Sequence, residues 1–341
     1  MSRKNYIRYL IIAVIILLAS FFYNLPYYVS KPGMAKELEP IIKVDGGYDE
    51  KGSLMLTTVR MGRANIYSYI LAKLSKYQEI FPADMIKYEN ETDEEYTLRQ
   101  LRAMDDSKLS AIEVAYKKAG IPVKYRYKGV YVMNVLPDMP ASKKLKPGDR
   151  IFKIDNFTFK SSDEFKQYVS KKKEGDEIQV SYVRNGKTDR AKLRVMPFPG
   201  HHDQFGIGIV LEDDKDIIVD PKVKVNTDDI GGPSAGLMFA LEIYNQLTKG
   251  DLTHGFNIAG TGTISPDGTV GRIGGIEQKV VAADNAGADI FLAPNENGAN
   301  GSNYKMAVKT AKEIGTHMKI VPVDTFDEAV SYLENLRDKK S

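Results

Sequence analysis

The chain has no cysteine and no tryptophan among its 341 residues, and it has only four histidines. The missing cysteines exclude disulfides, thiolate metal ligands and cysteine nucleophiles together. An excess of one charge is also lacking, since 48 Lys and Arg against 45 Asp and Glu leave a formal net charge of +3. No basic run is interleaved with aromatics, and no zinc spacing or RNA-binding signature occurs, so nucleic acid is not an expected partner. A phosphate-binding Walker A sequence is absent too. Gly186-Lys187-Thr188 echoes its end, but Ser181 stands where its first glycine belongs, and the surrounding pattern is that of a hairpin. No cofactor or metal is implied. What remains is an ordinary globular composition, long enough for two or three domains with their own cores.

Long apolar runs are missing with one exception. Arg3, Lys4 and Arg8 precede YLIIAVIILLASFFYNLPYYV, Tyr9 to Val29, which carries no charge. About twenty such residues suffice to span a bilayer as one helix. The basic flank predicts a cytoplasmic N-terminus at the cell membrane, with everything after Val29 extracytoplasmic. Tyr23, Tyr27 and Tyr28 then read as an interfacial aromatic belt. A cleaved signal peptide with a small-residue site near Ala19-Ser20 is the alternative.

Beyond this run, IIKVDGGYDEKGSLMLTTVRM, Ile41 to Met61, predicts a hairpin of two β-rich runs around a Gly- and Asp-rich turn. Residues 63–120 carry apolar positions at three- and four-residue intervals and predict helix. Thr92 and Glu95 form a capping box. Between about Val123 and Met196 the pattern changes to short elements: a strand in YVMNVLP, a turn ending at Gly148-Asp149, and a strand in RIFKIDNFTF. A helix over 162–173 capped by Ser161 and Glu164 follows, then a hairpin turning at Asn185-Gly186. GIGIVLEDD and IIVDPKVKVNT after it read as buried strands.

KGVYVMNVLPDMPASKKLKPGDRIFKIDN, Lys128 to Asn156, resembles a PDZ domain. Such a domain takes the C-terminus of a peptide as an added strand, its carboxylate held by backbone amides of a loop. The resemblance implies that loop at Lys128, Gly129 and Val130, with the added strand between Tyr131–Val135 and the 162–173 helix. No obvious Gly-Leu-Gly-Phe-type loop is present. The alternative is a domain that only packs against, or blocks access to, a neighbouring site.

The chemistry centres on IGGPSAGLMFAL, Ile230 to Leu241. Ser234 enters a helix where free amides and the positive end of the dipole gather, and Gly231, Gly232 and Gly236 leave room for a substrate backbone. Ser is also an ordinary residue for starting helices. As a nucleophile it needs a base. His201 and His202 lie in a polar linker, His254 in a DLTHG loop and His317 in a Gly-Thr-His segment, none beside an evident partner carboxylate. In IGGIEQKVVAADNAG, Ile276, Lys279, Val280 and Ala283 share one helical face, while Glu277 and Gln278 take the other. Lys279 therefore sits on an apolar stripe, either snorkelling to water or desolvated enough to act as a base.

Taken together, IGGPSAGLMFALEIYNQL and GTGTISPDGTVGRIGGIEQKVVAADNAGADIFLAPNEN closely resemble the proteolytic domain of Lon proteases. The resemblance implies Ser234 as nucleophile, Lys279 as general base and Thr261 as the partner orienting the lysine amine, with Gly232 and Pro233 shaping the turn. Many Lon proteases carry an acidic residue where this chain has Gly231; Asp228 and Asp229 nearby are left unassigned. No ATPase accompanies these motifs. Apolar N-terminal helix, PDZ domain and Lon-like domain in one chain resemble the YlbL-like, PDZ-containing secreted Lon-like proteases of Gram-positive bacteria.

The expected fold class is α+β: a transmembrane helix, a β-rich PDZ-like domain and a Lon-type α+β domain. The expected domains are an anchor over 1–30, a hairpin and helical region over 31–122, a PDZ domain over 123–197 and the proteolytic domain over 198–341. The hairpin at 41–61 is expected to belong to the proteolytic domain. The expected function is ATP-independent, membrane-anchored cleavage of extracytoplasmic peptides or unfolded proteins by a Ser-Lys dyad. The family analogy implies a homo-oligomeric ring as an expectation, with no interface read from the sequence. A non-catalytic membrane adaptor, or an amidase or esterase using the same dyad, are the rival readings.

Overall fold

The computed structural model describes residues 3–88, 91–227 and 230–339. The chain forms two compact units. One comprises Met1–Tyr96, Gln100–Ile121 and Pro221–Ser341, the other Thr97–Arg99 and Pro122–Asp220.

The first unit opens with helix α1 (Arg3–Phe22), then strands β1 (Asn24–Glu37), β2 (Ile42–Val44) and β3 (Ser53–Asn65). Helix α2 (Ile66–Leu74), strand β4 (Glu79–Pro82), the short helix α3 (Ala83–Ile86) and the long helix α4 (Asp93–Lys118) follow. The stretch expected to span a membrane is divided, because the helix ends at Phe22 and Asn24–Val29 enter a strand. The charge-free part of α1, Tyr9 to Phe22, measures about 21 Å at 1.5 Å per residue, short of a hydrocarbon core of roughly 30 Å. Among the described residues no helix is long and apolar enough to cross a membrane. Tyr27 and Tyr28 belong to β1 rather than to an interfacial belt. Tyr28 is buried, and its hydroxyl donates to Asp93 Oδ1 at 3.0 Å.

The IIKV and LMLTTV runs do not pair as a hairpin. Leu54, Met55 and Leu56 of β3 are all buried, and a strand covered on both faces belongs inside a sheet. It lies between β1, to which it is antiparallel, and a parallel neighbour from the far end of the chain. The region expected to be helical over 63–120 is interrupted by β4, which pairs with β1 at Val29–Ile80. The capping box of α4 forms, with Thr92 N–H donating to Glu95 Oε2 at 2.9 Å and Glu95 N–H to Thr92 Oγ1 at 3.1 Å.

The second unit contains β5 (Lys124–Val135), β6 (Arg150–Ile154), α5 (Ser162–Ser170), β7 (Glu177–Arg184), β8 (Lys187–Arg194), β9 (Met196–Phe198), β10 (His201–Gly206) and β11 (Ile209–Ile218). Five of the strands make one sheet in the order β11-β5-β6-β7-β8. Asn185 and Gly186 turn the β7–β8 hairpin with φ of 50° and 75°, the left-handed pair that a two-residue turn requires. Val130, Ile151, Ile178 and Val180 from the sheet pack with Phe165 and Val169 of α5.

Returning to the first unit, the chain forms β12 (Val223–Val225), which pairs with β2, then α6 (Gly236–Leu247), β13 (Asn257–Gly260), β14 (Thr263–Ile264) and β15 (Val270–Gly271). Helix α7 (Ile276–Asn285), β16 (Ile290–Pro294), α8 (Asn303–Ile314), β17 (Lys319–Val323) and α9 (Phe326–Glu334) complete it. The main sheet runs β17-β16-β13-β3-β1-β4, with β13, β16 and β17 parallel. Ile276, Val280 and Ala283 of α7 pack on Met55, Ala259 and Phe291 of the sheet. That packing presses the Lys279 face of α7 inward.

Candidate active site

Ser234 lies in a tight helical turn, Pro233–Ala235, that runs directly into α6. The turn is entered through Gly232 at φ 89°, a conformation open to glycine and strained for other residues. Pro233 at the first helical position lacks an N–H that would have no partner there. Helix α4 holds the turn from behind: Gly232 N–H donates to Gln100 O at 2.8 Å, and Ser107 Oγ donates to Pro233 O at 3.0 Å. Ser234 itself is half-buried.

Lys279 is only 2% exposed. Its Nζ stands 2.7 Å from Ser234 Oγ and 2.9 Å from Thr261 Oγ1. Burial pushes its ammonium down to about 7 from an ordinary 10.5, because the charged form loses its water. Thr261, fully buried, donates its hydroxyl hydrogen to Ser234 O at 2.9 Å, and Gly262 N–H reaches the same carbonyl at 2.9 Å. The residues singled out from three separate sequence blocks therefore meet in one cluster. Gln278, expected on the polar side of α7, is instead fully buried, since α7 is packed by β1 and β3 and by α8. Both its amide atoms lack a hydrogen-bond partner among the described residues.

His254 and His317, in the same unit, make no bond to this cluster among the described residues. His254 Nδ1 stands 2.8 Å from Asp338 Oδ1 at a turn, and His317 follows α8. His201 and His202 belong to β10 of the other unit. Asp228 and Asp229 lie outside the described residues.

The strand edge expected to take a peptide is already paired. Along Tyr131–Val135, where an added strand was expected, β5 is already paired with β11, from Ile209–Val135 to Ile218–Lys124. Val130 and Tyr131 also pair with β6 on the other side. Lys128 Nζ bonds Asp216 Oδ1 at 2.6 Å, and Gly129 is wedged so that a Cβ would stand 2.2 Å from Ile151 O. None of the four is free to hold a carboxylate. Of the two edge strands, β11 and β8, it is β11 that reaches α5, through Asp213 Oδ1, which accepts from Ser162 N–H at 2.6 Å. Ahead of β11 runs Phe205-Gly206-Ile207-Gly208. Ile207 O accepts from Ala141 N–H at 3.0 Å and Gly208 O from Leu136 N–H at 2.9 Å. In planar trans peptides the following amides, of Gly208 and Ile209, point the opposite way. The sequence signal is the Gly-Ile-Gly of GIGIV, whose apolar pattern reads as buried strand.

Residues 201–334 match the Lon protease (S16) C-terminal proteolytic domain, and residues 118–195 match a PDZ domain. A Lon protease of Mesomycoplasma hyopneumoniae (strain 232) is 29% identical over 159 residues, 47% of this chain and 17% of its own. A Lon protease of Campylobacter concisus (strain 13826) is 38% identical over 100 residues, 29% of this chain and 11% of its own. The chain thus spans 17% or less of the length of these relatives. The PDZ domain of an SdrC-like protein from Listeria monocytogenes is 41% identical, covering 26% of this chain and 92% of that one, with a TM-score of 0.25. The chain carries an S16-type serine peptidase domain together with a PDZ domain.

Proposed function

We propose that the protein is an ATP-independent serine endopeptidase of the PDZ-bearing, secreted Lon-like kind, with Ser234 as nucleophile and Lys279 as general base. The observation that carries this is the 2.7 Å approach of a buried, readily deprotonated amine to the Ser234 hydroxyl. Neutral Lys279 takes the Oγ proton as Oγ bonds to the substrate carbonyl carbon, and the carbonyl oxygen becomes the oxyanion. The amide of Ser234, in the first turn leading into α6, stabilises that charge together with the helix dipole. Collapse breaks the C–N bond, and the ammonium of Lys279 returns the proton to the leaving amine. A water then loses a proton to Lys279, attacks the ester and releases the acid, and Oγ recovers its proton.

The PDZ unit binds peptide C-termini at the open edge of β11, with the amides of Gly208 and Ile209 toward the carboxylate. The protein works at a membrane surface on its outer face. Leu10, Ile11, Ile12, Leu18, Phe21 and Phe22 of α1 are exposed, and association with lipid would cover them. The test is cleavage of a peptide library by the full chain beside Ser234→Ala and Lys279→Met, with small esters as comparison substrates. Loss of peptide cleavage in both folded variants supports the dyad. Cleavage of esters alone makes the enzyme an esterase, and a normally active Lys279→Met overturns the base.

A further inference from the structure

The loop between β2 and β3 folds over the last turns of α6 and encloses a cavity of about 310 Å³, lined in part by Glu39, Lys43, Tyr48, Asp49, Glu50 and Glu242. Gln246 of α6 fixes its wall. Its Nε2 donates to Ile42 O at 2.9 Å, its Oε1 accepts from Val44 N–H at 2.9 Å, and its backbone carbonyl accepts from Tyr48 N–H at 2.9 Å. Gly47 passes so close that a Cβ there would stand 3.1 Å from Gln246 Cβ. The cavity is therefore a built feature of the fold.

Its acceptors outnumber its donors. Glu242 is fully buried; one carboxylate oxygen accepts from Gln246 Nε2, and the other, Oε2, has no hydrogen-bond partner among the described residues. Glu50 Oε2 accepts from Asn245 Nδ2 at 2.8 Å. Among the described residues both carboxylates thus meet neutral amides and no bonded cation. Lys43 lies on the wall but is bonded to Glu39 at the exposed rim. A buried carboxylate without a donor is unfavourable by several kcal/mol in general, so the site calls for a proton, a metal ion or an organic cation. Among the described residues no group of three or more His, Asp or Glu is arranged to hold a metal.

We propose that this cavity binds a primary ammonium group, carried by a free alkylamine, a lysine side chain or a peptide N-terminus, with Glu242 and Glu50 accepting its hydrogens. An ammonium offers three donors and no acceptor, the complement of this wall. The volume admits its alkyl stem beside Val44 and Tyr48. Burial and neighbouring acids push Glu242 up to about 7 and Glu50 up to about 8. The charged or titratable groups facing the pair are Glu39, Lys43, Tyr48 and Asp49 around the cavity and Asp251 beyond α6. The bound cation stabilises both carboxylates, so binding at neutral pH releases protons. For an alkylamine or a lysine side chain, which ordinarily titrate above about 10 and stay charged, affinity rises as the pH goes from 6 to 8.5; a peptide N-terminus, titrating near about 8, loses part of that gain as it deprotonates. The proposal stands apart from the peptidase reading, because the Ser234→Ala protein serves equally well.

The experiment is calorimetric titration of the full chain with n-butylammonium, Nα-acetyl-lysine amide and triglycine amide at fixed ionic strength. Tetramethylammonium, which has no N–H, and Ca²⁺ are the controls. The expected result is saturable binding of at least one primary amine, at least about tenfold weaker in Glu242→Gln and, for n-butylammonium and Nα-acetyl-lysine amide, tighter at pH 8 than at pH 6. The probe that binds best identifies the source of the ammonium. No saturable binding by any amine, equal binding by tetramethylammonium or Ca²⁺, or unchanged affinity in Glu242→Gln overturns the proposal. Should Glu242→Gln fail to fold, Glu50→Gln supplies the same comparison.

Discussion

Thr261 has a single hydroxyl hydrogen, and it is committed to Ser234 O. Toward Lys279 the hydroxyl can therefore only accept. A neutral amine has two hydrogens and one lone pair, so donation to Thr261 turns the lone pair toward Ser234 Oγ. Thr261→Val should keep the volume and lose this orientation, lowering kcat by about tenfold to a hundredfold. It also removes an acceptor that favours the ammonium, so the acid limb of the pH profile moves to lower pH. Thr261→Ser restores both. A Thr261→Val enzyme with normal kcat and an unmoved profile would leave Thr261 a packing residue. With Lys279 at about 7, kcat/KM of the natural chain should climb tenfold per pH unit below that value and level off above about 8. Lys279→Arg, always charged, should lose about a thousandfold or more while folding normally. Ser234 and Lys279 were legible as candidates, from a glycine-rich helix entry and an apolar helical stripe, and the resemblance to Lon proteases joined them and supplied Thr261. Gln278 was not: period alone cannot show that α7 is covered on two sides.

Among the elements, α6 depends on Gly236 for close approach rather than for backbone freedom. A Cβ there would stand 2.7 Å from Ile264 Cγ2, 2.7 Å from Ser107 Oγ and 3.0 Å from Ile264 N. Gly236→Ala must push α6 away from β14 or α4, and the expected loss is about 1–3 kcal/mol of stability, read from urea unfolding. Because Ser107 also holds Pro233 O, the variant should lose activity beyond its loss of stability. Strand β11 makes a second prediction. Fluorescent peptides with a free C-terminal carboxylate should bind at least about tenfold more tightly than their amides, and Lys128→Ala should leave affinity unchanged. Equal binding of acid and amide would exclude the Gly208–Ile209 cradle. The strands of this unit could be read from alternation and turn residues, whereas their neighbours could not. Nothing in GIGIVLEDD says that β11, rather than a ligand, completes the sheet beside β5. The IIKV run likewise meets β12, far along the chain, and proximity in sequence misled the hairpin reading.

For the whole molecule, buried ionisable groups of opposite kind shape stability against pH in opposite directions. Glu242 and Glu50 have folded values raised from 4.5 to about 7 and about 8. The native chain then holds protons that the unfolded chain has released, so their contribution falls from about pH 4.5 to about 8. Lys279, lowered from 10.5 to about 7, acts the other way. Between these values the unfolded chain binds the additional proton, and stability rises with pH, by a ceiling of about 5 kcal/mol for a shift of this size. Below pH 7 the lysine is charged in both states, and its burial is a constant burden on the fold. The native state therefore tolerates a destabilising amine where a neutral base is wanted, a pattern of functional sites. Urea unfolding from pH 5 to 10.5 should show Glu242→Gln flattening the fall, and Lys279→Met removing the alkaline rise while being more stable than the natural chain at pH 7. If Lys279→Met instead parallels the natural chain from pH 7 to 10.5, the amine is charged at neutral pH. Lys279 then cannot take the Ser234 proton, and the proposed base fails on thermodynamic grounds before any substrate is tried.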